Sequence, residues 1–153
     1  MRKNYSIEEL KTRLKRYCAY QERCHKEVKN KLQQLGAYGD TSDAVISHLI
    51  QHDYLNETRF AVLYVRGKFS IKKWGKKRIV NELKLRKITN YNIDKGLKQI
   101  SEKDYQHTFD TLAQKRWEEL KKKKESTEKR KKKWVQYLQS VSYTHLRAHE
   151  THN

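Results

Sequence analysis

The chain contains no proline and only five glycines in 153 residues. With so few residues to force turns, a sheet protein rich in tight hairpins is disfavoured. What fills the chain instead is Lys, Glu, Leu and Gln, all good helix formers. Hydrophobic and charged residues each make up 35%, which is too little apolar material for a thick core and too much for disorder. Thin layers of amphipathic helix fit that balance, and the sequence predicts an all-α protein.

Helix boundaries can be placed from caps and apolar spacing. Ser6-Ile7-Glu8-Glu9 reads as a capping box, followed by Ile7, Leu10, Leu14 and Tyr17 on one stripe. After a break at Gln21 to Arg23, a second helix carries Val28, Leu32 and Leu35 and should end at Gly36 and Gly39. Asp40 to Ser42 offer caps for a third helix with Val45, Ile46, Leu49 and Ile50, closing at Asp53 to Leu55. Asn56 or Thr58 opens a fourth, with Phe60, Leu63, Tyr64 and Gly67 expected inside. A fifth starts near Trp74-Gly75 and carries Ile79, Val80 and Leu83. The sixth holds Ile93, Leu97 and Ile100, with Gly96 permitting close packing. Ser101 to Asp104 cap a seventh, with Phe109, Leu112, Ala113, Trp117 and Leu120 inward. Ser126 or Thr127 opens an eighth, with Trp134, Val135 and Leu138.

One pattern recurs along the chain. Lys26 to Leu32 aligns with Lys77 to Leu83, and again with Lys132 to Leu138. Each copy reads basic, any, apolar, then apolar four residues on, and each falls on the second helix of a triplet. The expected architecture is therefore tandem three-helix repeats in an elongated array, each unit burying its face on the next. The boundaries are 6–55, 56–100 and an incomplete third repeat at 101–140. Residues 141–153 abandon the lysine-rich style, hold three of the seven His, and resemble translated sequencing-adapter sequence. They are expected to be a non-native tail.

Thirty-six Lys and Arg against 18 Asp and Glu give a formal charge of +18. Such an excess repels itself in a compact state and points to a polyanionic partner. No apolar run approaches the roughly 20 residues a membrane helix needs, and no secretory signal is visible behind Met1. Cys18 and Cys24 read as a reduced, cytosolic pair, and with His25 they lack a fourth zinc ligand at a usable spacing. Nor do the acids, glycines or Ser/His/Asp residues form a catalytic or phosphate-loop pattern. A non-enzymatic protein without cofactor or metal is expected.

Certain segments resemble the RecX family. Asp53-Tyr54-Leu55-Asn56-Glu57-Thr58-Arg59-Phe60-Ala61 is similar to its GYLDDxRFA segment, and Tyr64-Val65-Arg66 to the continuation. Trp74-Gly75-Lys76-Lys77-Arg78-Ile79 with Glu82-Leu83 resembles GxxRIxxEL, and Arg23 to Leu32 resembles RxxSxxEVxxKL, with Cys24 departing near the serine. The resemblance spans about residues 7 to 140 and is most specific in the second unit. It implies a regulator that lies along a RecA–DNA filament and inhibits recombinase activity in DNA repair and recombination, some relatives binding DNA directly; a cytoplasmic monomer with single- or double-stranded DNA as a partner is expected.

From Arg66 to Lys87 ten basic residues face one acid, Glu82. A basic loop beside a helix N-terminus can hold phosphates by charge and free N–H groups together. The candidate filament or nucleic-acid contacts are Arg59, Arg66, Lys68, Lys72, Lys73, Lys76, Lys77 and Arg78. Trp74 could stack on a base or, the favoured reading, plug the junction between units. Arg59 could equally pair with Glu57 or Asp53. Lys115 to Lys133 holds eleven basic and four acidic residues, and its Lys121 to Lys124 block reads as a solvated arm or, equally, the frayed end of a long helix. The competing function is a stand-alone basic DNA-binding protein without a recombinase partner.

Overall fold

A computed structural model describes residues 4–141; the expected tail from residue 142 on lies outside them. Eight helices follow in chain order: α1 Ile7–Tyr20, α2 His25–Gln34, α3 Gly39–Gln51, α4 Glu57–Ser70, α5 Lys76–Leu85, α6 Asn90–Leu97, α7 Glu102–Lys121 and α8 Thr127–Val141. The fold is all-α, as the scarcity of breakers requires. The three recurring basic–apolar segments lie on α2, α5 and α8.

Caps explain most starts. The Ser6 hydroxyl accepts from Glu9 N at 3.1 Å while Glu9 Oε1 accepts from Ser6 N at 3.2 Å, completing the expected box. Asn56, Thr89 and Ser101 cap α4, α6 and α7 with their side chains. Ends are equally regular. Gly36 has φ 83°, and Ala37 N donates back to Leu32 O at 2.8 Å. Fifty-one residues on, Lys87 has φ 60° and Ile88 N donates to Leu83 O at 3.1 Å. One left-handed closure thus ends both α2 and α5, so the sequence period is also a period in backbone geometry.

The apolar residues gather in two clusters. One joins Leu10, Leu14, Cys18, Val28, Leu32, Ala37, Val45, Leu49 and Leu55 from α1–α3 and the following turn. The other is built on α4–α6 around Phe60, Val65, Ile79, Leu83, Ile93 and Leu97. It draws in Cys24 from the start of α2 and Tyr105 from α7. Each neighbour therefore lends one side chain to the central core. Beyond it, α7 and α8 pack on one another, and α8 touches α5. Trp117 and Trp134 meet edge to face at 5.4 Å, Trp134 Nε1 donates to Ala113 O at 2.9 Å, and Leu120 is fully buried.

Several inward faces differ from expectation. On α4 the buried residues are Phe60, Ala61, Val65 and Phe69, whereas Leu63 is 43% exposed and Gly67 faces open space. The face is turned because α6 approaches so closely that only small groups fit between. A methyl on Gly96 would sit 2.8 Å from Val65 Cγ2 and 2.9 Å from the Ala61 carbonyl oxygen. Gly39 does not end α2 but begins α3 at φ 55°, and its N-cap is Tyr38, with no side-chain cap from Asp40 or Thr41. Ser42 is buried within α3 instead of capping it. Ile7, Ile50 and Val135 are exposed, while Tyr105 is buried: its ring spans the junction to α4 and meets Phe69 at 5.8 Å.

Candidate nucleic-acid interface

The eight candidate residues fall into three situations. Arg59, in the first turn of α4, is a clamp. Its guanidinium reaches Glu22 Oε1 at 2.9 Å, Asp53 Oδ2 at 3.0 Å and the Asp53 carbonyl at 3.0 Å. The hydrogen bond to Glu22, followed by the neighbouring carboxylate charges, raises its pKa against the opposing effect of burial. Of the two local partners the sequence offered, Asp53 is used. Glu57 instead accepts from His25 N at 3.2 Å, satisfying a free N–H at the start of α2.

Lys76 is 6% exposed. Its ammonium lies 4.6 Å from the Tyr105 ring centroid, and its backbone N–H donates to the Tyr105 hydroxyl at 3.2 Å. Lys76 thus plays at the second junction the part His25 plays at the first. In both places the first residue of a unit's middle helix donates to a side chain of the following unit.

The remaining six lie on the surface of the central unit. Lys72 and Lys73 are exposed in the turn between α4 and α5, where Lys73 adopts φ 58°. Lys77 and Arg78 are exposed in the first turn of α5. Lys68 and Arg78 both converge on Trp74, 4.8 Å and 4.0 Å from its ring. Arg66 is exposed and donates to Gln99 Oε1 at 3.3 Å. Trp74 is half-buried against the core and meets Tyr64 edge to face at 6.5 Å. It therefore packs on the central core with two cations beside its ring.

This corner is electrostatically unfavourable as it stands. The positive end of a helix dipole favours acids, and α1, α2, α3, α4, α7 and α8 each begin with one or more. Helix α5 has no acid in its first turn and opens on Lys76-Lys77-Arg78. Cations there cost about 0.3–1 kcal/mol each in stability, and an anion bound at the corner would offset that cost.

Sequence reasoning passed over Arg86 and undervalued Tyr64. Arg86 closes α5, pairs with Glu82 at 3.1 Å and lies 4.9 Å from the Tyr64 ring. The signal was present: Arg78, Glu82 and Arg86 stand at i, i+4 and i+8, one face of a helix. Burial, ahead of the neighbouring charges, raises the Tyr64 pKa.

With this geometry in place, likeness to known proteins can be read. Residues 56–97 match the family description "RecX, second three-helix domain". The central unit is similar to a RecX domain. Two curated relatives named "Regulatory protein RecX" are similar over longer stretches. That of Clostridium perfringens is 27% identical over 120 residues, covering 78% of this chain and 56% of its own length. That of Lactobacillus johnsonii is 28% identical over 89 residues, covering 58% and 33%. The chain therefore spans about half or less of these RecX relatives. The crystal structure of RecX from Lactobacillus salivarius superposes with a TM-score of 0.79 at 26% identity, covering 90% of this chain and 88% of that one. A further crystal structure of regulatory protein RecX gives 0.80 at 20% identity, covering 90% and 68%.

The RecX match begins at Asn56, the cap of α4, and ends at Leu97, the last residue of α6. It thus encloses the whole basic corner. Among the described residues no helix is long and apolar enough to cross a membrane.

Proposed function

We propose that the protein is a regulator of RecA recombinase that docks its central unit on the RecA–DNA filament and inhibits recombinase activity. The observation that carries this reading is the basic corner of Lys72, Lys73, Lys77 and Arg78 at the start of α5, where a helix of the family-matched unit begins on cations. A phosphate backbone seated there would meet the positive end of the helix dipole and side-chain charge together. Arg66 and Lys68 extend the same basic surface along α4. Arg59 and Lys76 support it from behind, as junction residues.

Three three-helix units, the third incomplete at 101–140, would present several such surfaces to successive subunits of one filament. Binding one filament state better than another shifts their equilibrium by that difference in affinity. The chain is read as a monomeric, non-enzymatic cytoplasmic protein whose partners are the recombinase and single- or double-stranded DNA.

The test is inhibition of DNA-stimulated ATP hydrolysis by the recombinase, comparing this chain with the Lys72→Glu, Lys73→Glu, Lys77→Glu variant. Loss of inhibition with unchanged helicity is expected. Full inhibition by the variant would refute the corner's role. Tight, steeply salt-dependent binding to bare DNA without preference for the coated strand would favour the stand-alone DNA-binding reading.

A further inference from the structure

A second surface feature lies where the first and central units meet, and it shares Lys68 with the basic surface. Gln21, Glu22 and Glu27 from the first unit face Phe60, Leu63, Tyr64, Lys68 and Arg86 across a cleft of about 310 Å³. That volume sits at the small end of ligand pockets.

The cleft's charges are unequally satisfied. Glu22 is held by Arg59 at 2.9 Å. Glu27 accepts from Cys24 N at 3.1 Å and lies 3.9 Å from the Arg23 guanidinium. Arg86 is paired with Glu82 at 3.1 Å. Lys68 has no carboxylate among the described residues; its ammonium has only aromatic neighbours, Tyr64 at 5.3 Å and Trp74 at 4.8 Å. The Tyr64 hydroxyl likewise has no hydrogen-bond partner among the described residues, and its ring lies between Lys68 and Arg86. One end of the cleft therefore offers an unmatched cation beside a free hydroxyl donor. The lining next to it is apolar, with Phe60 at the back and the exposed Leu63 at the rim.

We infer that this inter-unit cleft is a docking site for an acidic-apolar peptide segment of a protein partner, one carboxylate seating on Lys68 and the Tyr64 hydroxyl while an adjacent apolar side chain covers Leu63. Charge complementarity selects the acid, since every carboxylate of the cleft already has its cation. A nucleic-acid strand fits less well. Its evenly spaced phosphates would have to pass Glu22 and Glu27 on the facing wall, whereas a single side-chain carboxylate need not. The exposed leucine gains from an apolar neighbour and nothing from a phosphate. The inference does not rest on the filament reading, because it concerns the isolated chain and a peptide.

The experiment titrates the full ¹⁵N-labelled chain with an acetylated pentapeptide, Ser-Leu-Glu-Leu-Ser, following the Trp74 indole N–H and the Lys68 and Arg86 resonances. Saturable shifts confined to the cleft are expected, with affinity reduced about tenfold when the peptide glutamate becomes glutamine, the scale of one charge-assisted hydrogen bond. Lys68→Gln should weaken binding to the same extent. Leu63→Ser should weaken it several-fold, and Arg86→Gln provides a second probe of the cationic end should Lys68→Gln perturb the fold. The inference is overturned if millimolar peptide leaves these resonances in place, if the glutamine peptide binds equally well, or if oligothymidylate moves the same cleft resonances more strongly. Peptide binding with no effect on recombinase would leave this cleft standing and sink only the filament reading.

Discussion

Two glycines on facing helices, α4 and α6, give the sharpest test of the packing argument, because the same substitution should have opposite signs at each. Gly96 lies where α6 presses on α4: an added methyl would meet Val65 Cγ2 at 2.8 Å and the Ala61 carbonyl oxygen at 2.9 Å. The side chain could shift, but the carbonyl belongs to the α4 backbone and cannot move without displacing the helix. Overpacking of this kind costs about 1–3 kcal/mol. Alanine recovers up to about 1 kcal/mol through helix propensity, leaving Gly96→Ala destabilised by roughly 1–2 kcal/mol. Gly67, in the last turn of α4, has nothing within 4 Å of the same methyl and no positive φ. There the propensity gain stands alone, and Gly67→Ala should stabilise by about 0.5–1 kcal/mol. Urea denaturation followed by far-ultraviolet circular dichroism would show the midpoint falling for one and rising for the other, by a few tenths of a molar upward at ordinary slopes. Neutrality at Gly96, or a loss at Gly67, would mean that the α4–α6 approach is looser than these distances.

Other expectations follow from single observations. Lys87→Gly should stabilise by roughly 1 kcal/mol, because lysine there holds the left-handed closure that Gly36 makes freely; a thermal midpoint that falls would contradict the shared closure. Arg59→Gln should cost about 1–3 kcal/mol, since it strips a charge-assisted partner from Glu22, and urea unfolding at wild-type midpoint would show the clamp to be idle. Burial pushes both Cys18 and Cys24 up to about 11, so both should react slowly with thiol reagents at neutral pH. As the unfolded thiols ionise near 9 and the folded ones do not, stability should fall between about pH 9 and 11, by up to about 1.4 kcal/mol per unit per thiol; a Cys18→Ala, Cys24→Ala variant retaining the same alkaline slope would assign it elsewhere. Amide exchange should find α7 and α8 less protected than α4 and α5, for their shared core has one fully buried large side chain, Leu120; equal protection would oppose this.

Much of the fold was legible because its signals are local. Ser6 and Glu9 cap within four residues, Gly36 closes a helix by its own φ, and the α2, α5 and α8 segments repeat at near-constant spacing. The α4 face misled for the opposite reason. Periodicity alone offered Phe60, Leu63, Tyr64 and Gly67 as one stripe, yet which stripe turns inward was decided by Gly96, some thirty residues away. A glycine promises close approach without naming its partner.

The basic residues show the same limit more severely. Lys76 and Lys77 are identical neighbours in sequence, and one is 6% exposed over an aromatic ring while the other is on the surface. Composition established that an anion was the natural partner, but it could not separate cations that hold the units together from cations that face outward. Arg59 and Lys76 belong to the first kind, and each sits at a junction where a second unit supplies the partner: Glu22 for one, Tyr105 for the other. In a repeat protein the boundary between units is where a charge is most readily spent on structure. The residues left to recognise a partner are then the exposed cations beside a junction cation, such as Lys72, Lys73 and Arg78 near Lys76, or those like Lys68 that find only aromatic rings.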